Sequence, residues 1–217
     1  PSLVGSEMCI RDRIHPFDRY FLGLGEIGMA TSRDGVKTYF VTIPAHKFLH
    51  IENRESNGYW DFWQKQALIP GQDCETICGL LESIRGKLDD DGGEYAGQVM
   101  GYLNDATGRL CDWGYLRTEY YGARLPADYR GEVPAQMLLT DIPEGEYLVF
   151  EHGPFDYETE NTQVETEIER AKKDFDYAAH GVKLDTAQGR VFYFYHDCTR
   201  FWKYVRPVKR VEDILGQ

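Results

Sequence analysis

The chain has 217 residues, and its 36 acidic against 24 basic side chains give a formal net charge of −12 at pH 7. This negative charge disfavours binding to phosphate backbones and to anionic membranes, because both attract clustered Lys and Arg side chains. No apolar run approaches the roughly 18 residues of a membrane-spanning helix. The bulk properties therefore predict a cytoplasmic domain that by itself binds neither nucleic acid nor a membrane.

The first residues read differently from the rest of the chain. Residues 3–13, LVGSEMCIRDR, resemble the translated sequence of a sequencing adapter. We therefore expect residues 1–13 to be a non-native tail without a role in the fold or the function. Residues 14–36 are then expected to be the remainder of a linker, and residues 37–210 to form the functional domain.

The first half of this domain predicts a strand, a helix and two further strands. Residues 38–52 form an apolar segment with an internal Ile-Pro pair, which indicates a bend or an edge position. Residues 73–89 predict a helix, because their apolar residues recur with a period of about 3.6. Residues 96–104 and 113–125 predict the closing strands.

The second half predicts the same order of elements. Residues 136–151 predict an opening strand, again with an Ile-Pro pair. Residues 163–178 predict a helix, for which Thr162 with Glu165 would form a capping box. The closing strands are expected at about 190–196 and 202–210.

Two pairs of segments indicate an internal duplication. Residues 43–52 (IPAHKFLHIE) and 142–151 (IPEGEYLVFE) share Ile, Pro, an aromatic residue, Leu and Glu in register. Residues 97–107 and 189–199 match in the same order. We therefore predict two copies of one module, at about 37–126 and 135–210. Two units are too few for a solenoid, so they are expected to pack as halves of one domain.

Strand alternation assigns the faces of the predicted sheet. Phe192 and Phe194 share one face, which we expect to pack against the two helices. Tyr193 and Tyr195 share the other face, which we expect to line a ligand cleft. The repeat extends the first face to Met100 and Tyr102, and the second to Val99, Gly101 and Leu103.

Large aromatic side chains, each able to bury roughly 150–250 Å², are the candidates for lining such a cleft. For each ring, core packing remains the alternative. Glu119 is an acid within a strand of aromatic residues and could balance a ligand cation, with a solvated strand face as the alternative. The candidate ligand-binding residues are Trp60, Trp63, Trp113, Glu119, Tyr121, Tyr193, Tyr195 and Trp202.

No metal or cofactor site is expected. His46 and His50 are four residues apart, which in a strand separates them by about 13 Å, too far to share a metal. The five cysteines lack the spacing of a zinc site, and no phosphate loop, dinucleotide fingerprint or nucleophile elbow is present.

Five segments in this order, IPAHKFLHIE, LRTEYYGARLP, IPEGEYLVFEHGPFDYE, VFYFYHD and WKYVRPVKR, resemble the GyrI-like small-molecule-binding family, which includes the C-terminal effector domain of AraC-type transcription regulators. The resemblance covers about residues 37–210. It implies an α+β fold of tandem duplicated βαββ modules, which form a curved antiparallel sheet with two helices on one face and a ligand cleft on the other. It further implies binding of a lipophilic or aromatic small molecule, with cations and a homodimer among the candidates.

The resemblance also implies that the chain is the sensor part of a transcription regulator, whose DNA-binding domain would lie outside this sequence. The alternative is a stand-alone GyrI-like hydrolase that detoxifies reactive small molecules, with Glu119 as its acid/base.

One position departs from the family. Many members carry a cleft glutamate in a Phe-Glu-x-Tyr pattern, and the matching residue here is Tyr193. A phenol has a pKa near 10 and is a poor general base at neutral pH. We therefore expect a binder with little or no hydrolase activity.

Overall fold

The computed structural model describes residues 31–93, 95–110 and 116–211. Within them, ten strands form one antiparallel sheet that carries three helices. The predicted tail, most of the predicted linker and Trp113 lie outside the described residues. The elements are β1 (Thr31–Arg33), β2 (Val36–Ile43), β3 (His46–Asn53), α1 (Tyr59–Gln66), α2 (Cys74–Ser83), β4 (Val99–Leu110), β5 (Leu116–Pro126), β6 (Leu138–Ile142), β7 (Gly145–His152), α3 (Tyr157–Asp174), β8 (Val182–Leu184), β9 (Val191–Asp197) and β10 (Phe201–Arg210).

Each predicted opening strand is broken at its Ile-Pro pair. Pro44 separates β2 from β3, and Pro143 separates β6 from β7. Proline has no backbone N–H to donate to a sheet, so the ladder is interrupted there. The two pieces then pair with different neighbours: β2 pairs with β7, whereas β3 pairs with β5 and β6. The predicted bend is correct, but the single strand over 38–52 is two strands.

The strand order is β1-β2-β7-β10-β9-β4-β5-β3-β6, with β8 paired to β10. The β9–β4 pair joins the two halves of the chain at the centre of this order. On one side of this pair, β9 is followed by β10, β7 and then β2, which comes from the first half of the chain. On the other side, β4 is followed by β5, β3 and then β6, which comes from the second half. The α+β class with one antiparallel sheet is confirmed.

The helix ends differ from those predicted. α2 ends at Ser83, because Ile84 has extended backbone angles (φ −71°, ψ 129°), so the helix is shorter than 73–89. α3 begins at Tyr157, where the Asp156 side chain accepts hydrogen bonds from two backbone N–H groups. The predicted capping box at Thr162 is wrong, since Thr162 lies inside α3 and its carbonyl accepts from Thr166.

Residues 59–66, which include four aromatic side chains, form α1, a helix that was not predicted from the sequence. Phe62 and Trp63 pack into the core, whereas Trp60 is 74% exposed. α1 and α2 share one apolar cluster with Met100 and Phe194.

The helices pack on the sheet face that carries Phe192 and Phe194, which we call the helix face. Phe194 contacts both the cluster under α1 and α2 and the cluster under α3, where Val164 and Ile168 are buried. This is the face predicted from strand alternation.

The opposite face, which carries Tyr193 and Tyr195, curls over its own core, and we call it the concave face. Neighbouring strands lie about 4.8 Å apart, so β3 and β9, separated by β4 and β5, would be roughly 14 Å apart in a flat sheet. Instead, the rings of Phe48 and Tyr193 lie 5.5 Å apart between centroids. The curl brings Val149, Val191 and other residues of distant strands into one buried cluster.

Candidate functional site

The concave face is filled by side chains rather than open to a ligand. Tyr193 and Tyr195 are only 1% and 2% exposed. The Phe48 ring crosses from β3 and occupies the space over Gly101, where an added Cβ would lie 2.8 Å from Phe48 Cε1. The predicted cleft on this face is therefore wrong for the described residues. Gly101 has no side chain, and the space that this leaves is occupied by the Phe48 ring of another strand rather than by a ligand cleft.

A buried polar network completes the packing of the concave face. Arg124 donates two hydrogen bonds to the Asp89 carboxylate, of 2.8 and 2.6 Å, and the Tyr195 hydroxyl donates a third, of 2.8 Å. Burial raises the pKa of Asp89, but the Arg124 charge and these hydrogen bonds outweigh it and lower the pKa overall. Since Asp89 and Arg124 are 1% and 4% exposed, the network is a structural ion pair.

The two candidate tyrosines are neutral members of this core. Burial raises the pKa of Tyr193 and of Tyr195 well above the ordinary value. The Tyr193 hydroxyl lies 2.6 Å from His46 Nε2, and burial lowers the pKa of His46 to about 4. A neutral phenol hydrogen-bonded to a neutral imidazole has little tendency to act as a base.

An aromatic cavity of about 140 Å³ lies on the helix face. Tyr102 of β4 and Phe192 of β9 are cross-strand neighbours at the centre of the sheet. β5, β10 and α3 supply the remaining side chains, apart from Tyr193 of β9. The principal lining residues are Tyr102, Arg117, Lys172, Phe192, Tyr204 and Arg206, and Tyr193 and Val205 also border the cavity.

Two of the aromatic rings that line the cavity each make a cation–π contact. Arg117 Cζ lies 4.7 Å from the centroid of the Tyr102 ring, and Lys172 Nζ lies 3.7 Å from that of Tyr204. Arg206 donates a hydrogen bond of 2.7 Å to the Tyr177 hydroxyl. Cation–π contacts of this kind contribute up to about 2 kcal/mol when desolvated. The cavity therefore offers a ligand both cationic groups and apolar ring surfaces.

Glu119 lies on the helix face beside the cavity but does not line it. The carboxylate is 1% exposed in its side chain, and its cross-strand neighbour is Tyr102. It accepts hydrogen bonds from Ser56 Oγ at 2.5 Å, from the Gly58 N–H at 2.8 and 3.0 Å, and from Arg117 Nη2 at 2.7 Å. These contacts fix the loop that begins α1, where a negative charge is favoured by the helix dipole. Glu119 thus has a structural role in this arrangement.

The other predicted site residues are dispersed. Trp60 projects from α1, whereas Trp63 and Tyr121 pack against each other with ring centroids 4.8 Å apart. Trp202 is buried under α3 beside Phe155. Trp113 lies outside the described residues. Of the seven predicted residues that the structure describes, only Tyr193 is among those that border the cavity.

The residues that sequence reasoning missed were on the face assigned to packing. Tyr102 and Phe192 were placed on the helix face from the alternation, and Tyr204 and Arg206 alternate in the same way along β10. The local signal was limited to Arg206, which stands two residues after Tyr204 and therefore on the same face of β10.

Neither a metal site nor a membrane span is found in the part of the chain that the structure describes. No group of three or more His, Cys, Asp or Glu side chains is placed to hold an ion there. Among the described helices, none combines the length and apolar character needed to cross a membrane.

No protein-family model matches the chain, and no curated protein matches it. The chain is similar to the structure of SAV2435 bound to tetraphenylphosphonium, at 15% identity and a TM-score of 0.46, covering 80% of this chain and 94% of that one. It is similar to the EcmrR C-terminal domain at 12% identity and a TM-score of 0.42, covering 81% and 99%. An uncharacterized conserved protein from Listeria innocua gives 16% identity and a TM-score of 0.42, covering 79% and 92%. At these values the similarity assigns no family, ligand or activity to this chain.

Proposed function

We propose that the chain is a GyrI-like small-molecule-binding domain whose ligand occupies the helix-face cavity. The observation that carries the proposal is an aromatic cavity at the central β4–β9 pair, where the two halves of the chain meet. The sequence segments that resemble the family support it independently. We further propose that the halves are duplicated modules, and that the domain serves as the sensor part of a transcription regulator.

The size of the cavity sets the size of the ligand. A cavity of about 150 Å³ lined by apolar side chains holds one benzene molecule. The cavity here has about 140 Å³, so it accommodates one aromatic ring with small substituents. A larger ligand would have to project into solvent or displace a helix.

Binding is better supported than hydrolysis. The Glu119 carboxylate already accepts hydrogen bonds from Ser56, Gly58 and Arg117, and it lies outside the cavity lining. Tyr193, at the position of the family glutamate, is a buried neutral phenol. The Glu119 carboxylate lacks the exposure that a general base needs, and the Tyr193 phenol stays protonated at neutral pH.

The proposal is tested with a panel of single-ring aromatic compounds, neutral and charged, by thermal shift and by calorimetry. A compound at 100 times its Kd stabilises the folded state by about 2.7 kcal/mol. For a chain of this size that corresponds to a rise in Tm of roughly 5–10 °C.

The cavity is located by a pair of matched variants. Phe192→Trp enlarges a lining side chain and should abolish binding, whereas Phe201→Trp makes the same change in the core of the concave face and should preserve it. Loss of binding in Phe201→Trp alone, or no response to any compound, would contradict the proposed site.

A further inference from the structure

The charges around the helix-face cavity are unevenly distributed. Arg117, Lys172 and Arg206 line it, and no carboxylate is among the lining residues in the part of the chain described. The side chains of Arg117 and Lys172 are 15% and 8% exposed, and Arg206 is 6% exposed. Three cations are therefore held close to the cavity and largely out of water.

The nearest carboxylates compensate these cations from outside the cavity. Glu119 binds Arg117 at 2.7 Å, but the same carboxylate also accepts from the loop that begins α1. Glu169 binds Lys172 at 2.6 Å and is 51% exposed in its side chain, so water screens its charge. Glu165 also acts on Lys172 from outside the lining, so the carboxylates that compensate these cations lie outside the cavity rather than in it.

The lining arginine Arg117 also has an unused donor. Its Nε is buried and makes no hydrogen bond to any described residue. A guanidinium presents a planar fork of donors that matches a carboxylate in size and geometry. A carboxylate in the cavity would satisfy that donor, whereas a ligand cation would meet three positive charges.

The surroundings of Lys172 also favour an anionic ligand. Burial lowers the pKa of Lys172, and its hydrogen bond to Glu169 opposes that effect only in part. A negative charge placed beside the ammonium would stabilise its charged form.

We propose that the helix-face cavity binds a small aromatic carboxylate, with one ring against Tyr102, Phe192 and Tyr204 and the carboxylate among Arg117, Lys172 and Arg206. This inference rests on the proposed small-molecule function and specifies the class of ligand. It replaces the cationic ligand that the family resemblance allowed. Tetraphenylphosphonium, which the SAV2435 structure contains, differs in both charge and number of rings.

The test compares three ligands of similar shape on the full chain by isothermal titration calorimetry: benzoate, benzamide and benzylamine. Benzoate should bind about tenfold more tightly than benzamide, which corresponds to about 1.4 kcal/mol. Benzylamine, a cation at pH 7, should give no measurable heat. If benzamide binds as tightly as benzoate, the cavity is a binding site but the charge inference is wrong. If none of the three binds, the proposed function itself fails.

Variants at the cations identify the interaction. Arg206→Gln should weaken benzoate binding about tenfold and benzamide binding distinctly less, because only benzoate carries a negative charge. Lys172→Gln is the second variant, which keeps the test decisive if the first does not fold. Lys209→Gln removes a cation of the same strand that lies outside the lining, and it should bind both compounds like the parent. Equal losses for benzoate and benzamide in Arg206→Gln and Lys172→Gln, or tighter binding of tetraphenylphosphonium than of benzoate by the parent, would overturn the inference.

Discussion

Replacing Asp89 by Asn tests whether the concave face is closed to water. Asp89 is 1% exposed and accepts two hydrogen bonds from Arg124, which is 4% exposed. The substitution keeps the shape of the side chain but leaves the Arg124 guanidinium buried without its carboxylate. Breaking a buried ion pair in this way costs about 3–5 kcal/mol. For a chain of this size, the expected fall in Tm is roughly 6–20 °C.

The assay is thermal and urea unfolding of the parent and of Asp89→Asn at pH 7. The matched control is Asp141→Asn, because Asp141 binds Lys47 at 2.6 Å but is 84% exposed in its side chain. An exposed pair of this kind contributes about 1 kcal/mol at most. If the free-energy losses of the two variants are equal, the Asp89–Arg124 pair is solvated and the concave face is open, as the sequence first suggested. A double variant, Asp89→Leu with Arg124→Met, should be less destabilised than Asp89→Asn, because it leaves no buried charge.

Three further predictions concern stability. Glu119→Gln should cost about 1–3 kcal/mol in urea unfolding, because the charged acceptor at the start of α1 is lost. Burial lowers the pKa of His46 and of His50 to about 4, so the folded state favours the neutral rings. The stability that these two groups contribute should be fully present above about pH 6.5 and should be lost as the pH falls through 4. The loss should reach up to ~3 kcal/mol for each group. A Tm that stays constant from pH 7 to 4.5 would contradict the burial of the two rings. Asp156→Ala should cost about 1 kcal/mol of stability, because it removes the N-terminal cap of α3, and Thr162→Ala should cost distinctly less. A larger loss of stability in Thr162→Ala than in Asp156→Ala would support the capping box predicted at Thr162.

Local rules predicted much of the fold. The Ile-Pro pairs marked the bends before β3 and β7, because a missing backbone N–H interrupts a ladder wherever it occurs. The alternation along residues 191–195 assigned Phe194 to the helices and Tyr193 to the opposite face, since a strand reverses its side chains at each residue.

The location of the site could not be obtained from these rules. Whether a face is a cleft or a core depends on which side chains reach it from other strands. Here the Phe48 ring of β3 covers Gly101, two strands away, and contacts Tyr193, three strands away. The cavity depends on where α3 packs on the sheet, because Lys172 of α3 is among its lining residues. Helix α1 was missed because it has only eight residues, too few for the i, i+3, i+4 spacing of Tyr59, Phe62 and Trp63 to stand out from a run of rings that includes the exposed Trp60.

The location of the ligand is the central claim, and anomalous diffraction from a crystal soaked with 4-bromobenzoate tests it most directly. The bromine marks the position of the ring independently of any assumption about the site. We predict a peak in the helix-face cavity, between the rings of Tyr102 and Tyr204, with the carboxylate directed toward Arg117 or Arg206. A peak on the concave face beside Tyr195, with Phe48 displaced, would contradict the account.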